Sequence, residues 1–383
     1  MTTFVQIHSL MAYPASNLNR DDSGRPKTMM FGGVERLRIS SQSEKRALRT
    51  SPVFQERLAG SLGTRAQSFG RELETILREK HGKSAEDAAR MAAAAIEHDK
   101  LGKLKIGDLK DAKKKLKPED IEKTGSDTEQ LAFLAPEELD RLRALATRLA
   151  AGEELTNKEM LVLVERPKAS DIALFGRMLA DNPSYNVEAA CQVAHAFTTH
   201  RATVEDDYFT AVDELKARRG DADKGAGFVG VQEFGAGTFY LYACLDAGML
   251  VKNLAGDRDL AARTAQALVD TIGRTGPAGK QNAFASRGRA HWMLVETGTQ
   301  QPRTLGTAFQ KPIAQRESND VVRSSIERLH VIRDGFSKAY GQDWNEQAEL
   351  DIQPEADDKG AKQNITALCA LAAKAVRETQ VHD

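Results

Sequence analysis

Strand-like segments at both ends of the chain flank a long stretch of different composition, and this interruption constrains the fold most. From about residue 60 to 170, alanine, charge and helical periodicity dominate, as in SAEDAARMAAAAIEHDK (84–100) and PEELDRLRALATRLA (136–150). Before it, residues 3–13 alternate as a strand does, with Val5 and Ile7 on one face and Phe4 and Leu10 on the other. The segment 14–33 is loop-like, with Pro14, Gly24, Pro26 and the pair Gly32-Gly33 supplying turn chemistry. VERLRIS (34–40) predicts a short strand, and Ser41-x-x-Glu44 has the form of a capping box opening a helix through about residue 58. After the interruption, GFVGVQEFGAGTFYLYACLDA (227–247) predicts a strand pair or one long bent strand, and HWMLVETG (291–298) predicts another. Helices are expected at about 257–273, 317–340 and 362–379. The whole pattern predicts an α+β domain carrying a helical insertion at 60–170.

At 383 residues the chain can bury a sizeable core. Its 41% hydrophobic and 28% charged content are those of an ordinary soluble globular protein. It has no apolar run of about 18 residues, which excludes a spanning helix and a membrane role of that kind. The opening MTTFVQIHSLMAYP lacks a basic leader and a cleavage site. Three separated cysteines, Cys191, Cys244 and Cys369, suit a reducing cytoplasm without a disulfide framework. The formal charge of −1 argues against indiscriminate nucleic-acid binding, but a confined basic groove remains compatible with it.

Such a groove is suggested by Asn17 to Arg49, which holds eight Arg or Lys residues against four acids. Arg20 and Lys27 lie on the loop. Lys45 and Arg49 are four apart on the predicted helix and share a face, with Arg46 beside them. Ser40, Ser41 and Gln42 sit at the helix start, where free N–H groups and the dipole favour phosphate. The arrangement points to a phosphate backbone before a small substrate.

Other motifs weaken on context. GAGFVG (225–230) spells G-x-G-x-x-G, but polar RRGDADK precedes it and strand-like VQEFGAGTFY follows, whereas a dinucleotide site needs a strand and then a helix. GPAGKQN (276–282) has Arg274 where a phosphate loop needs its first glycine, and Gln281 where it needs a hydroxyl; a basic turn touching a phosphate or a neighbouring subunit and a solvated turn both remain open. Cys191 and His195, four apart on an expected helix, lack further ligands, so no metal or other cofactor is indicated. His8, His195, His200 and His291 have no adjacent nucleophile or orienting carboxylate, and no catalytic residue is indicated. The lysine-dense 100–117 suits a nucleic-acid strand or a solvated charged face. Asp206-Asp207-Tyr208-Phe209 suits stacking on bases if it projects, or the core if it does not.

NRDDSGRPKTMMFGGVERLRISSQSEKRALR closely resembles the N-terminal signature of the CasC family, the backbone subunit of the type I-E CRISPR surveillance complex, Cascade. Further similar segments follow in order: DIALFGRM (171–178), AHAFTTH (194–200), DDYFTAVDEL (206–215), VQEFGAGTFYLYA (231–243) and GPAGKQN (276–282). The resemblance spans nearly the whole chain. It implies an RRM/ferredoxin-like palm from residues 1–59 and 173–383, helical fingers at 60–172, and a projecting β-hairpin-like thumb at about 201–232. Copies of such a subunit stack along a crRNA guide beside other Cascade subunits, kink it at regular intervals and present it to target DNA.

Carried over by position, Arg20, Lys27, Gln42, Lys45, Arg46 and Arg49 resemble guide-backbone contacts, and Ser40 lies at the same helix start. Met178 resembles a base-wedging methionine. Tyr208, Phe209 and Val212 resemble the thumb residues at the displaced base; the family position of Tyr208 can hold tryptophan. The family's lysine-rich fingers helix has no match in TNKEMLVLVERPKAS (156–170), so Lys110, Lys113, Lys114, Lys115 and Lys117 become the candidates for DNA. The expectation is a non-enzymatic cytoplasmic RNA-binding scaffold. The alternative is an RNA-processing endonuclease on a ferredoxin-like fold, with His8 or His200 in acid/base roles.

Overall fold

The computed structural model describes residues 2–98, 101–104, 126–211, 228–314, 320–353 and 363–381. Lys110, Lys113, Lys114, Lys115, Lys117 and Val212 lie outside the described residues. The chain divides into one unit of Met1–Arg57, Gln192–Leu245 and Ala265–Gln380, and a second of Leu58–Cys191, Asp246–Thr264 and Val381–Asp383.

The first unit is built on a nine-stranded sheet. Its main path runs β11 (Glu346–Asp351), β10 (Trp292–Gly298), β1 (Phe4–Ser16), β9 (Phe228–Asp246), β7 (Ala196–Thr198), β3 (Val34–Ile39), β2 (Thr28–Phe31). Two further strands, β6 (Cys191–Val193) and β8 (Val204–Ala211), also pair with β9. β1 is antiparallel to β10 in the register Phe4↔Gly298 to Leu10↔Trp292. The alternation expected of β1 gives way to near-complete burial from Val5 to Met11, because the strand is central and covered on both faces.

That burial requires its polar residues to find partners. Tyr242 donates to Gln6 Oε1 at 3.0 Å, and the Tyr240 hydroxyl and His8 Nδ1 share a hydrogen bond of 2.9 Å. On β10, the fully buried Glu296 accepts from Arg303 at 2.7 Å and Arg333 at 2.6 Å, with His8 Nε2 3.6 Å away. Burial by itself would raise the Glu296 carboxyl, but the pull of His8 and Arg303 outweighs it and holds the group down to about 2.

Two helices close the sheet. Val322, Ile326 and Leu329 of α10 (Val321–Tyr340) share a helical face and join Leu10, Tyr240, Trp292, Leu294, Leu305 and Phe309 in one core. Leu368, Cys369, Ala372 and Val376 form the buried stripe of α11 (Ile365–Glu378), which packs on β10 and β11. The helix expected through residue 58 divides into α1 (Ser41–Thr50) and α2 (Pro52–Arg57), since Pro52 holds Ser51 in extended backbone. The capping position also differs by one. Ser40 Oγ accepts from Ser43 N at 3.3 Å, so Glu44 falls one place beyond the reciprocal position and turns inward.

In the second unit, α3 (Phe69–Glu79), α4 (Ala85–His98) and α5 (Pro136–Ala150) pack through Phe69, Leu73, Leu77, Ile96, Leu142 and Leu145. The alanines of α4 let backbones approach closely. The stretch is not wholly helical: β4 (Thr64–Ala66) and β5 (Ala132–Leu134) pair antiparallel, runs too short to give a periodic signal. Next to α6 (Ser170–Phe175), Arg177 is fully buried and donates to both carboxylate oxygens of Glu138, at 2.8 and 2.7 Å. Asn253, at the end of α7 (Ala247–Asn253), donates to the carbonyls of Ala173 and Glu188, which places 246–264 within this unit. α8 (Arg258–Arg274) and α9 (Gln281–Phe284) follow in the chain.

Candidate nucleic-acid interface

The loop before α1 is shaped by its own polar side chains. Asp21 Oδ1 accepts from Ser23 N and Arg25 N, both at 3.0 Å, and Asn17 Nδ2 donates to the carbonyls of Gly24 and Glu233. Asn19 ties the loop to the helix: its carbonyl accepts from Lys27 N at 2.8 Å and its Oδ1 accepts from Ser40 N at 2.9 Å. Arg20, Lys27, Ser40 and Gln42 are thereby fixed on one connected piece of backbone. Arg20, Gln42 and Arg46 are exposed, Lys27, Lys45 and Arg49 half-buried, and Ser40 buried as the helix cap.

α1 has two chemically opposite faces. Leu48 and Glu44 point inward; burial pushes the Glu44 carboxyl up to about 8, so at neutral pH it does not offset the basic face outside. Arg36, part of the same basic stretch, contributes no surface charge: it is buried and donates to the carbonyls of Phe31, Thr198 and Phe309.

Arg46, Ser43 and Thr50 form one wall of a cleft of about 740 Å³. The opposite wall is the turn 274–279 with Arg287 and Arg289, and among the described residues no acidic one lines the space. The turn must be glycine-rich, because a Cβ at Gly279 would run into the carbonyl oxygens of Asn17 and Leu18, and one at Gly276 into the Tyr13 hydroxyl. Arg274 is held by Asp270 at 2.5 Å. Arg46, Arg287 and Arg289 form no ion pair among the described residues. Sequence reasoning met Arg274 only as a mismatch to a phosphate loop and passed over Arg287 and Arg289, although the alternation S-R-G-R (286–289) beside a glycine turn was a usable signal.

β8 and the start of β9 make a two-stranded ribbon in the register Tyr208↔Val231, Phe209↔Gly230, Ala211↔Phe228. It carries exposed apolar side chains: Tyr208 is 65%, Phe209 43%, Phe228 59% and Val231 63% accessible. The core alternative for Asp206–Phe209 is therefore not what the structure shows. Tyr208 and Phe209 face opposite sides by strand alternation. The Phe209 ring lies over Gly230, where a Cβ would meet it at 2.5 Å, and its centroid is 6.0 Å from that of Phe228. In the second unit Met178 follows the buried Arg177 and is 81% exposed.

The remaining motifs resolve differently. Phe228, Val229 and Gly230 of GAGFVG lie in β9, which continues as strand, so the helix a dinucleotide site needs is absent from that point. Cys191 and His195 belong to the β6–β7 strand region and not to a helix, and His195 Nδ1 accepts from Arg38 at 2.9 Å. Among the described residues no group of three metal-ligating side chains occurs, and no helix is long and apolar enough to cross a membrane.

This mixed α/β fold with an antiparallel sheet is shared with subunits of solved CRISPR assemblies. A chain of a "CRISPR RNA-guided surveillance complex, pre-nicking" aligns with a TM-score of 0.79 at 29% identity, covering 97% of this chain and 100% of that one. A chain of a "CRISPR RNA-guided surveillance complex" aligns with a TM-score of 0.60 at 25% identity, covering 97% and 99%. Residues 5–373 match the CT1975-like protein family, a Cas family, and the chain belongs to it. No curated protein matches it.

Proposed function

We propose that this chain is a non-enzymatic, RNA-binding scaffold subunit of a Cascade-type CRISPR surveillance complex, of the type I-E kind. Copies of it polymerise along a crRNA guide, kink it at regular intervals and present it to target DNA beside other subunits. The observation that carries this reading is the basic face of α1, tied through Asn19 to the loop bearing Arg20 and Lys27. Cations that hold phosphates without reading base edges give affinity without sequence preference, and guide–target pairing then reads the sequence.

The sheet supports an RRM/ferredoxin-like palm: the order β10-β1-β9-β7, with α1 following β1 and α8 following β9, has the strand order of a split β-α-β unit. The exposed β8–β9 ribbon suits a thumb, and the helices within 58–191 suit fingers. His8 and His200, the residues an endonuclease would need, are buried; His200 Nε2 accepts from Thr238 N at 3.2 Å. Metal-independent cleavage of a repeat RNA, abolished by His200→Ala, is the result that would favour the nuclease.

Lys45→Ala with Arg49→Ala is expected to weaken RNA binding equally across unrelated sequences and to reduce the salt slope by about 1.4, two single-strand phosphate contacts. Equilibrium titrations at several salt concentrations check this, and a wild-type slope in the double variant would remove the assignment. Combined replacement of Met178, Tyr208 and Phe209 by alanine is expected to disturb periodic kinking more than affinity. Chemical probing of the bound guide reads this directly; an unchanged periodic reactivity would refute the wedge roles.

A further inference from the structure

We infer that the arginine cleft between α1 and the 274–289 segment holds one nucleotide of single-stranded RNA, with its phosphate forked by Arg287 and Arg289. This site rests on the RNA-binding reading above and extends it to residues outside the stretch from Asn17 to Arg49. The cleft, about 740 Å³, has the capacity of a small-ligand site and so accommodates a base and its sugar as well as a phosphate. Its chemistry is one-signed: among the described residues Arg46, Arg274, Arg287 and Arg289 line it, and acidic side chains do not. Arg274 shares its charge with Asp270, which leaves Arg46, Arg287 and Arg289 to meet an anion.

Arginine suits this task because its planar fork presents paired donors to phosphate oxygens, whereas lysine offers a point charge. Ser43 and Thr50 add hydroxyls to one wall, and Pro52 and Pro277 add apolar surface against which a base can lie. The choice of RNA over an acidic peptide comes from continuity. Arg46 belongs both to the cleft wall and to the exposed surface of α1, so a strand lying on Lys45 and Arg49 passes the cleft mouth without leaving the unit. The turn facing it is pressed against Asn17 and Leu18, the start of the basic loop, so both walls are held by the same backbone.

The test uses the full chain and a fluorescein-labelled single-stranded RNA of mixed sequence, titrated at several salt concentrations. Arg287→Ala with Arg289→Ala is expected to weaken binding at low salt and lower the salt slope by about 0.7, one single-strand phosphate contact, while Arg287→Lys with Arg289→Lys retains the slope and recovers part of the affinity. Photo-crosslinking of the unmodified chain to 4-thiouridine RNA is expected to label peptides within 274–289, and this arm decides the matter if the alanine variant fails to fold. Unlabelled 274–289 peptides overturn the site. Wild-type affinity in the alanine variant, with Lys45→Ala/Arg49→Ala weakened, also overturns it while leaving the α1 reading intact. If Lys45→Ala/Arg49→Ala binds normally as well, the RNA reading itself falls. Loss of self-association at unchanged RNA affinity, read by sedimentation, assigns the cleft to an acidic segment of a second copy and overturns the RNA proposal.

Discussion

Arg177→Ala is expected to destabilise its unit by about 3–5 kcal/mol, the cost of leaving a buried charge without its partner. Both side chains of the Arg177–Glu138 pair are fully inaccessible. The guanidinium also donates to the carbonyls of Tyr185 at 3.0 Å and Val164 at 2.8 Å. Glu138 in turn accepts from Ala135 N and Val164 N, both at 2.8 Å. The pair thus fastens the start of α5, the segment at Val164 and the turn carrying Met178 to one another. Removing the arginine strands a carboxylate whose remaining partners are two amides. Urea unfolding at neutral pH measures the effect, and Met178→Ala is the control, expected within about 0.5 kcal/mol because the side chain is exposed. A loss below about 1 kcal/mol for Arg177→Ala would refute the anchoring role.

The second large effect is expected in the other unit. Glu296→Gln should cost about 3 kcal/mol at neutral pH and flatten the acid limb of stability. The folded Glu296 carboxyl sits at about 2, below its usual 4.5. Its contribution is therefore present above about pH 4.5 and lost as pH falls towards 2. Glutamine cannot be protonated in that window, so the variant loses its slope there. His8, which burial drives below its ordinary 6.5, contributes in a different window: its stability is present above that value and is lost as the unfolded chain takes up the proton. The Glu296→Gln variant should accordingly keep the decline that begins near neutrality. Urea midpoints between about pH 7 and pH 3 distinguish the two, and an acid limb as steep as wild type would count against Glu296.

The elements with an uninterrupted period were legible in the sequence. β1, β10, α10 and α11 lie close to where their apolar spacing puts them. Features governed by distant partners were not. Arg36 and Arg177 look like any surface arginine in the sequence, yet one satisfies three carbonyls and the other a buried carboxylate. β4 and β5 are three residues each, and their pairing joins segments that lie far apart in the sequence of the second unit. The cap at Ser40 and the inward turn of Glu44 depend on a one-residue phase that Ser40 and Ser41 leave open. At the interface, the clustering of Lys45, Arg46 and Arg49 follows from helical spacing alone. Arg287 and Arg289 reach the same cleft only because the fold returns residues 274–289 to the start of the chain.

That return sets an order of events during synthesis. β1 leaves the ribosome first but gains its neighbour β10 only when residues 292–298 have emerged, most of the chain later. Contacts this distant in sequence form slowly and leave apolar strand surface waiting. Most of the second unit lies within 58–191 and can condense meanwhile. The two walls of the arginine cleft come together on the same late schedule, since one follows β1 and the other immediately precedes β10. A nascent or truncated copy therefore lacks the finished groove. Emergence of residues 292–298 is therefore the step before which the two walls of the cleft cannot be held together.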